Sequence, residues 1–327
     1  MSTGNDYLVS LRNDTGEGVP GPDMGNTTYI SVPNTSDNYN LTTDKVEDRN
    51  VWAQHVKETA KGGPVVVFIH GYHNNSTKVL GLHNDVHQGL SLYFGDRPFS
   101  LVSYDWPTAN SVQEARGAVY PHDWENALTS GRQLAHDCID HLIANGVAAH
   151  DVHIITHSMG GRVAEVAFSQ NPPSNPIGHV MLTAADISAE HYDVANNSIY
   201  LKSFTEHSIS FTSYHSEYDQ ALKTSATVYG HLPDHGKTRL GQVGFTDETT
   251  KVVTTCQDMQ CGNYYLTYVK PTDHGAETSH KWYVLPPTFY LDFMEDTHNV
   301  ITGTEAFPNR LLTGATGQFI LVKGQRN

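Results

Sequence analysis

The sequence predicts an α/β fold, a mainly parallel sheet with helices on both faces, on three observations. Short uninterrupted apolar runs, Val65-Val-Val-Phe-Ile69 being the clearest, have the length and composition of strands covered on both sides. Segments with apolar residues every three to four positions, the period of an amphipathic helix, alternate with them. The alternation runs on without a linker, so a single domain over residues 1–327 is expected.

Taken in order, Tyr7-Leu-Val-Ser-Leu11 and Thr28-Tyr-Ile-Ser-Val32 flank a Gly/Pro-rich turn and read as an N-terminal β-hairpin. Thr43-Asp44 offers N-cap chemistry for a helix to about Ala60, closed by Gly62-Gly63-Pro64. After the Val65–Ile69 strand, Val79, Leu82, Val86 and Leu90 share one face of a helix. A strand over Phe99–Tyr104 leads to a longer helix carrying Trp124, Leu128, Leu134, Cys138, Ile139 and Leu142, with Gly146 placed to cap it. A strand over Val152–Thr156, a helix over Gly160–Ser169 and a strand over His179–Ala184 follow. Ile209–Tyr214 and Tyr264–Val269 read as later strands, and a last helix begins near Pro286-Pro287 and runs through Met294. The core is expected over about 64–297. Residues 231–262, rich in Gly, Thr and Asp, break the period and read as an excursion over the active site; 301–327 reads as an extended tail.

Composition narrows the function classes. A net charge of -15, with the few basic residues scattered, repels a phosphate backbone, so nucleic acid is not expected as a partner. No apolar run is long enough for a transmembrane segment. The first residues lack a basic stretch followed by an apolar one, so a cytoplasmic location is expected. Three cysteines are too few for a disulfide framework; free thiols are expected, although Cys256 and Cys261 are near enough in sequence to bridge across a tight loop. His83 and His87 are four apart on a helix, but the intervening residues lack the Glu of the zinc-protease motif. Most of the twenty histidines are therefore expected at the surface, with no metal or other cofactor.

Two segments carry chemistry. Thr156-His157-Ser158-Met159-Gly160-Gly161 lies between an apolar strand and an amphipathic helix. A sharp strand-to-helix turn exposes a serine hydroxyl for activation by a base, and needs small residues two before and two after it. The helix N-terminus that follows presents the Met159 amide to a developing oxyanion. At the end of the first long apolar strand, His70-Gly71-Tyr72-His73 is a Gly-bearing loop suited to supply a second amide, that of Tyr72.

Ile69-His-Gly-Tyr-His-Asn-Asn75, Val102-Ser-Tyr-Asp-Trp-Pro107, Ile155-Thr-His-Ser-Met-Gly-Gly161 and Ala184-Ala-Asp-Ile187 resemble successive blocks of a lipase-like, mostly bacterial α/β-hydrolase family with poorly defined substrates. The resemblance covers about residues 64–230 well and continues more loosely to about 297. It implies the α/β-hydrolase fold, with the hairpin as the antiparallel first strands, and a Ser-His-Asp triad with Ser158 as nucleophile. By the family's pattern, Asp219 in Tyr218-Asp-Gln-Ala-Leu222 is the acid, with Asp186 as the alternative. The base lies last in chain order; His280, just ahead of Trp282-Tyr283, is preferred and His274 is the alternative. Thr156 stands where relatives often carry Ala, one step bulkier than that position favours.

These residues together imply hydrolysis of carboxylic esters through an acyl-enzyme, with a small-molecule or acyl-ester substrate. Tyr72 and Trp106, with Tyr120 and Trp124, are candidates to line an acyl pocket. An amidase or peptidase with the same triad, and a non-catalytic binding protein on the same scaffold, remain as alternatives.

Overall fold

The computed structural model describes residues 5–33, 39–41, 45–108, 116–261, 280, 283, 291–304, 307 and 309–321. Strands β1 (Asn5–Asp14) and β2 (Pro20–Pro33) form the N-terminal antiparallel hairpin, with Leu8 opposite Ile30. Helix α1 (Arg49–Ala60) starts later than Thr43-Asp44 suggests. A short strand, β3 (Lys45–Glu47), pairs on the open edge of β2, and Asp48 becomes the cap, its carboxylate accepting from the Asn50 amide at 2.9 Å. Either Asp has capping chemistry; the edge pairing carries the extended chain past the first.

Strand alternation explains why the next segment is wholly apolar. In β4 (Val65–Ile69), Val65, Val67 and Ile69 enter one core while Val66 and Phe68 enter the other. The first core is closed by α1, α3 (Arg116–Gln133), α5 (Gly160–Gln170) and α6 (Ile199–His207), through Trp52, Trp124, Val163 and Phe204. The second is closed by α2 (Ser76–Phe94) and α10 (Leu291–Thr302), through Val86, Leu90 and Phe293. Each fully buried side chain of this kind contributes about 1.5–3 kcal/mol. The long helix predicted to reach Leu142 is interrupted: a π-helical turn over Leu134–Ile139 separates α3 from α4 (Asp140–Ala144). The wider turn keeps Leu134, Cys138, Ile139 and Leu142 in the same core. Gly146 follows at φ +90, as its predicted capping place requires.

The remaining strands are β5 (Ser100–Asp105), β6 (Val152–His157), β7 (Ile177–Thr183), β8 (Ser208–His215), β9 (Cys256–Gln260), β10 (Arg310–Leu312) and β11 (Gln318–Leu321). Among the described residues they build one eleven-stranded sheet in the order β10-β11-β9-β8-β7-β6-β4-β5-β1-β2-β3. All neighbours from β1 to β11 are parallel, and the antiparallel pairs lie at the two edges. The chain leaves β4 for β5 on one side, then returns to place β6 on the other. The helices that follow β4 and β6 pack on opposite faces. Adjacent strands whose connections diverge in this way open a crevice at their C-terminal ends.

Two expectations about the C-terminal half change. Residues 231–262 are not a bare excursion, because they contain α8 (Leu240–Val243), α9 (Asp247–Val252) and β9, which is parallel to β8. Segment 301–327 is not simply a tail, since β10 and β11 extend the sheet, and Arg310 anchors them to Asp296 of α10 at 2.8 Å. The final helix is described from Leu291 onward; the strand predicted over 264–269 and the start predicted at 286–287 lie outside the described residues. Cys138, Cys256 and Cys261 are buried, and no disulfide joins them.

Many of the histidines are interior rather than superficial: His70, His83, His141, His153, His157, His215 and His235 are all buried. Polar partners make this tolerable. His83 meets Ser103 at 2.7 Å and Asp6 at 2.9 Å, and His215 meets Asp258 at 2.9 Å. Among the described residues no helix is long and apolar enough to cross a membrane.

Candidate active site

The crevice between β4 and β6 holds the serine. Ser158 follows the last residue of β6 with φ +53, a left-handed conformation that costs a non-glycine residue about 1–2 kcal/mol. Backbone bonds hold it there. Its N–H donates to Thr183 O at 3.1 Å, and its carbonyl accepts from Gly161 N at 3.0 Å and Asp186 N at 2.9 Å. The turn thus projects the side chain from a junction of β6, β7 and α5.

Close backbone approach explains the glycines around it. A Cβ on Gly160 would lie 2.3 Å from Ile69 O and 2.6 Å from His70 O. One on Gly71 would lie 2.8 Å from Ser158 Cβ and 2.9 Å from His157 Nδ1. The loop after β4 therefore rests directly against the serine. Thr156, one step bulkier than the resemblance leads one to expect, is fully buried. Its hydroxyl turns to Met181 O at 3.5 Å, and its carbonyl accepts from the Thr183 hydroxyl.

Met159 is the N-cap of α5, and among the described residues its N–H has no hydrogen-bond partner. An amide at a helix N-terminus beside the serine is suited to receive an oxyanion. Tyr72 is half-buried on the facing loop, its ring 5.5 Å from that of Tyr120. Trp106 is fully buried, stacked on His70 at 5.5 Å, with its indole N–H donating to His70 O at 2.7 Å. It thus braces the loop and offers a ligand no surface. Tyr120 and Trp124 are also buried.

His280 and Asp219, 61 residues apart in sequence, are joined by a bond of 2.7 Å between Nδ1 and Oδ2. Asp219 is fully buried at the N-cap of α7 (Gln220–Tyr229), where its other oxygen accepts from Leu222 N at 2.9 Å. The helix cap thus fixes the carboxylate that orients the imidazole. His157 ties His280 to the serine turn: its Nε2 donates to the His280 carbonyl at 3.3 Å, and the two rings lie 4.7 Å apart. The Ser158 hydroxyl makes no hydrogen bond among the described residues. Such contacts commonly tighten only when substrate is bound.

The Asp186 carboxylate is engaged elsewhere. It accepts from Tyr120 at 2.7 Å and Ser225 at 2.8 Å, with Arg239 at 3.5 Å, and makes no bond to His280. His235 joins this cluster through Tyr120 at 2.8 Å, and burial pushes its imidazole down to about 4. His274 lies outside the described residues. Among the described residues no group of three or more His, Cys, Asp or Glu is arranged to hold a metal ion.

Sequence reasoning assigned no role to a second buried cluster under the loop. Asp105, at the end of β5, receives Arg12 Nε at 2.8 Å and His70 Nε2 at 3.0 Å, together with the Tyr39 hydroxyl. Burial alone would raise the Asp105 carboxyl, but Arg12 and His70 outweigh it and hold it below the usual carboxylate range. Asp105 stands in one of the blocks singled out above, whereas Arg12 lies in the hairpin, and no sequence pattern links the two.

A strained serine turn at the switch point of a mainly parallel sheet, faced by a glycine loop, defines an α/β hydrolase. More particularly, residues 44–287 match the model of a family described as alpha/beta hydrolase of unknown function (DUF900), and the chain belongs to that family. No curated protein matches it significantly. Among solved structures it is similar to an inhibited esterase B from Lactobacillus rhamnosis (10% identity, covering 93% of this chain and 90% of that one, TM-score 0.41). It is also similar to a predicted CIB-like hydrolase from Thermoplasma acidophilum (12% identity, 90% and 100% covered, TM-score 0.41). A third is the thermophilic esterase Est2 from Thermogutta terrifontis (11% identity, 68% and 82% covered, TM-score 0.34). Likenesses this remote carry no functional argument.

Proposed function

We propose that the protein hydrolyses carboxylic esters with Ser158 as nucleophile, His280 as general base and acid, and Asp219 as the orienting carboxylate. The observation that carries the reading is the 2.7 Å His280–Asp219 bond, held beside a serine in a strained turn. Ser158 Oγ attacks the ester carbonyl while its proton passes to His280 Nε2, and Asp219 on Nδ1 stabilises the imidazolium that results. The tetrahedral oxyanion accepts from the Met159 and Tyr72 amides, each worth about 3–4 kcal/mol to the transition state. Collapse expels the alcohol, which takes the proton from His280 and leaves an acyl-serine. Water, deprotonated by the same imidazole, then releases the acid.

The test is hydrolysis of short and long acyl p-nitrophenyl esters and matched anilides by wild type and by Ser158→Ala, Asp219→Asn, His274→Ala and His280→Ala. Ester turnover that is abolished in Ser158→Ala and His280→Ala and survives in His274→Ala is expected. A Ser158→Ala variant as active as wild type would refute the mechanism, and preferential cleavage of anilides would refute the ester assignment.

A further inference from the structure

We propose that Asn74 and His70 are positioning residues for the oxyanion hole. They grip the Gly71 carbonyl and, through the rigid Gly71–Tyr72 peptide, aim the Tyr72 N–H, with Asp105 and Arg12 as the buried anchor behind them. The inference rests on the reading of Ser158 as nucleophile and Tyr72 as oxyanion donor.

A trans peptide is planar, so its C=O and N–H point to opposite sides and turn together. Gly71 O accepts two bonds, from His70 Nδ1 at 2.8 Å and from Asn74 Nδ2 at 2.8 Å, which occupies both of its lone pairs. Asn74 Nδ2 also reaches Tyr72 O at 3.3 Å. Turning the Tyr72 N–H would require breaking both bonds to Gly71 O.

The loop needs such a grip. His73 within it has φ +60, a conformation that persists in a non-glycine residue only where the surroundings over-determine it. The surroundings do so at each end. Trp106 holds His70 O at 2.7 Å, while Arg12 Nη2 and the Thr108 hydroxyl both hold Asn74 O at 2.6 Å. Behind them His70 Nε2 meets Asp105 Oδ1 at 3.0 Å, and Asp105 is held in turn by Arg12 Nε. Arg12, His70 and Asp105 are all buried. A buried ion pair adds little net stability over well-packed apolar residues. Its distinctive contribution is directional: one guanidinium aims donors at Asn74 O, Thr108 O and Gly21 O, joining the loops after β4 and β5 to the hairpin.

The experiment compares wild type, Asn74→Ala, Asp105→Asn and Ser158→Ala. It measures kcat and KM on an active ester, affinity for phenylboronic acid, and the fraction of sites labelled at completion by a fluorophosphonate. The boronate mimics the tetrahedral intermediate: Ser158 Oγ adds to trigonal boron, its proton passes to His280, and a boron-bound oxygen occupies the oxyanion hole. Asn74→Ala is expected to lower kcat roughly 10- to 100-fold, less than outright loss of a donor, with KM little changed. Boronate affinity should weaken in the same proportion while every site still labels. Asp105→Asn, which keeps an acceptor for His70 but loses the charge that holds Arg12, should show a smaller change of the same kind. Asn74→Asp, the same shape without the donor, serves if Asn74→Ala does not fold. Loss of kcat with boronate affinity intact overturns the inference, as does loss explained by incompletely labelled protein. Wild type that fails to bind the boronate overturns the reading of Ser158 and this inference together. Wild type that binds it, with Asn74→Ala binding equally well, overturns the inference alone.

Discussion

Gly71→Ala tests how closely the loop after β4 lies on the nucleophile. The added Cβ would sit 2.8 Å from Ser158 Cβ, 2.9 Å from His157 Nδ1 and 3.1 Å from His157 O. Carbon–carbon contact is relaxed only at about 3.5 Å or more, so the loop or the serine turn must retreat by about 0.7 Å. Misplacement on the order of 1 Å within a catalytic constellation costs about 100-fold, or about 2.7 kcal/mol of transition-state stabilisation. The assay is kcat/KM on a p-nitrophenyl ester together with the second-order rate of fluorophosphonate labelling. Gly161→Ala serves as the control, because its Cβ would meet Ala185 Cβ at 3.1 Å, which a few tenths of an ångström relieve. Gly71→Ala should fold, lose about 100-fold in both rates, and leave Gly161→Ala far more active. Rates equal to wild type in Gly71→Ala would show that this loop does not bear on the reacting serine, and the oxyanion assignment to Tyr72 would fall.

Two further outcomes are expected. Asp219→Asn should lower kcat roughly 10⁴-fold, by analogy with other triads, while barely moving Tm, because Asn can still cap α7; a small loss there and a large one in Asp186→Asn would transfer the acid to Asp186. Burial pushes the His153 imidazole down to about 3 from an ordinary 6.5, with His179 and His150 adding to the shift. Between those values the unfolded chain binds a proton that the native chain excludes, so stability falls as pH is lowered, by at most about 1.4 kcal/mol per pH unit. Urea unfolding at pH 7 and pH 5 should show the loss and His153→Gln should reduce it; an unchanged slope in the variant would remove His153 as the cause.

The serine turn and its facing loop were legible because they are local. The small-x-Ser-x-Gly string between an apolar run and a helical period, and the glycine in the loop after β4, follow from residues within a few positions of one another. The both-face burial of β4, β6 and β7 was legible for the same reason, as was the helical face of Val79, Leu82, Val86 and Leu90. Asp219 and His280 were named through resemblance, since nothing in their own neighbourhoods distinguishes them from other Asp and His residues.

What the sequence determined by itself is whatever periodicity and turn chemistry express within a few residues: which runs are buried strands, which faces of helices pack, and where a serine can be forced into a sharp turn. Tertiary structure decided the rest. β9 is short and partly polar, and becomes a strand because β8 and β11 offer it hydrogen-bonding edges. β10 and β11 carry too few residues to show a period, and exist through pairing at the sheet edge. Arg12 and Asp105 meet across 93 residues of chain, and only the parallel register of β1 with β5, which sets Ser10 beside Asp105, brings them under the loop that faces Ser158. Backbone pairing and desolvated charge are satisfied by whatever the fold brings near, and that proximity has no local signature in the chain.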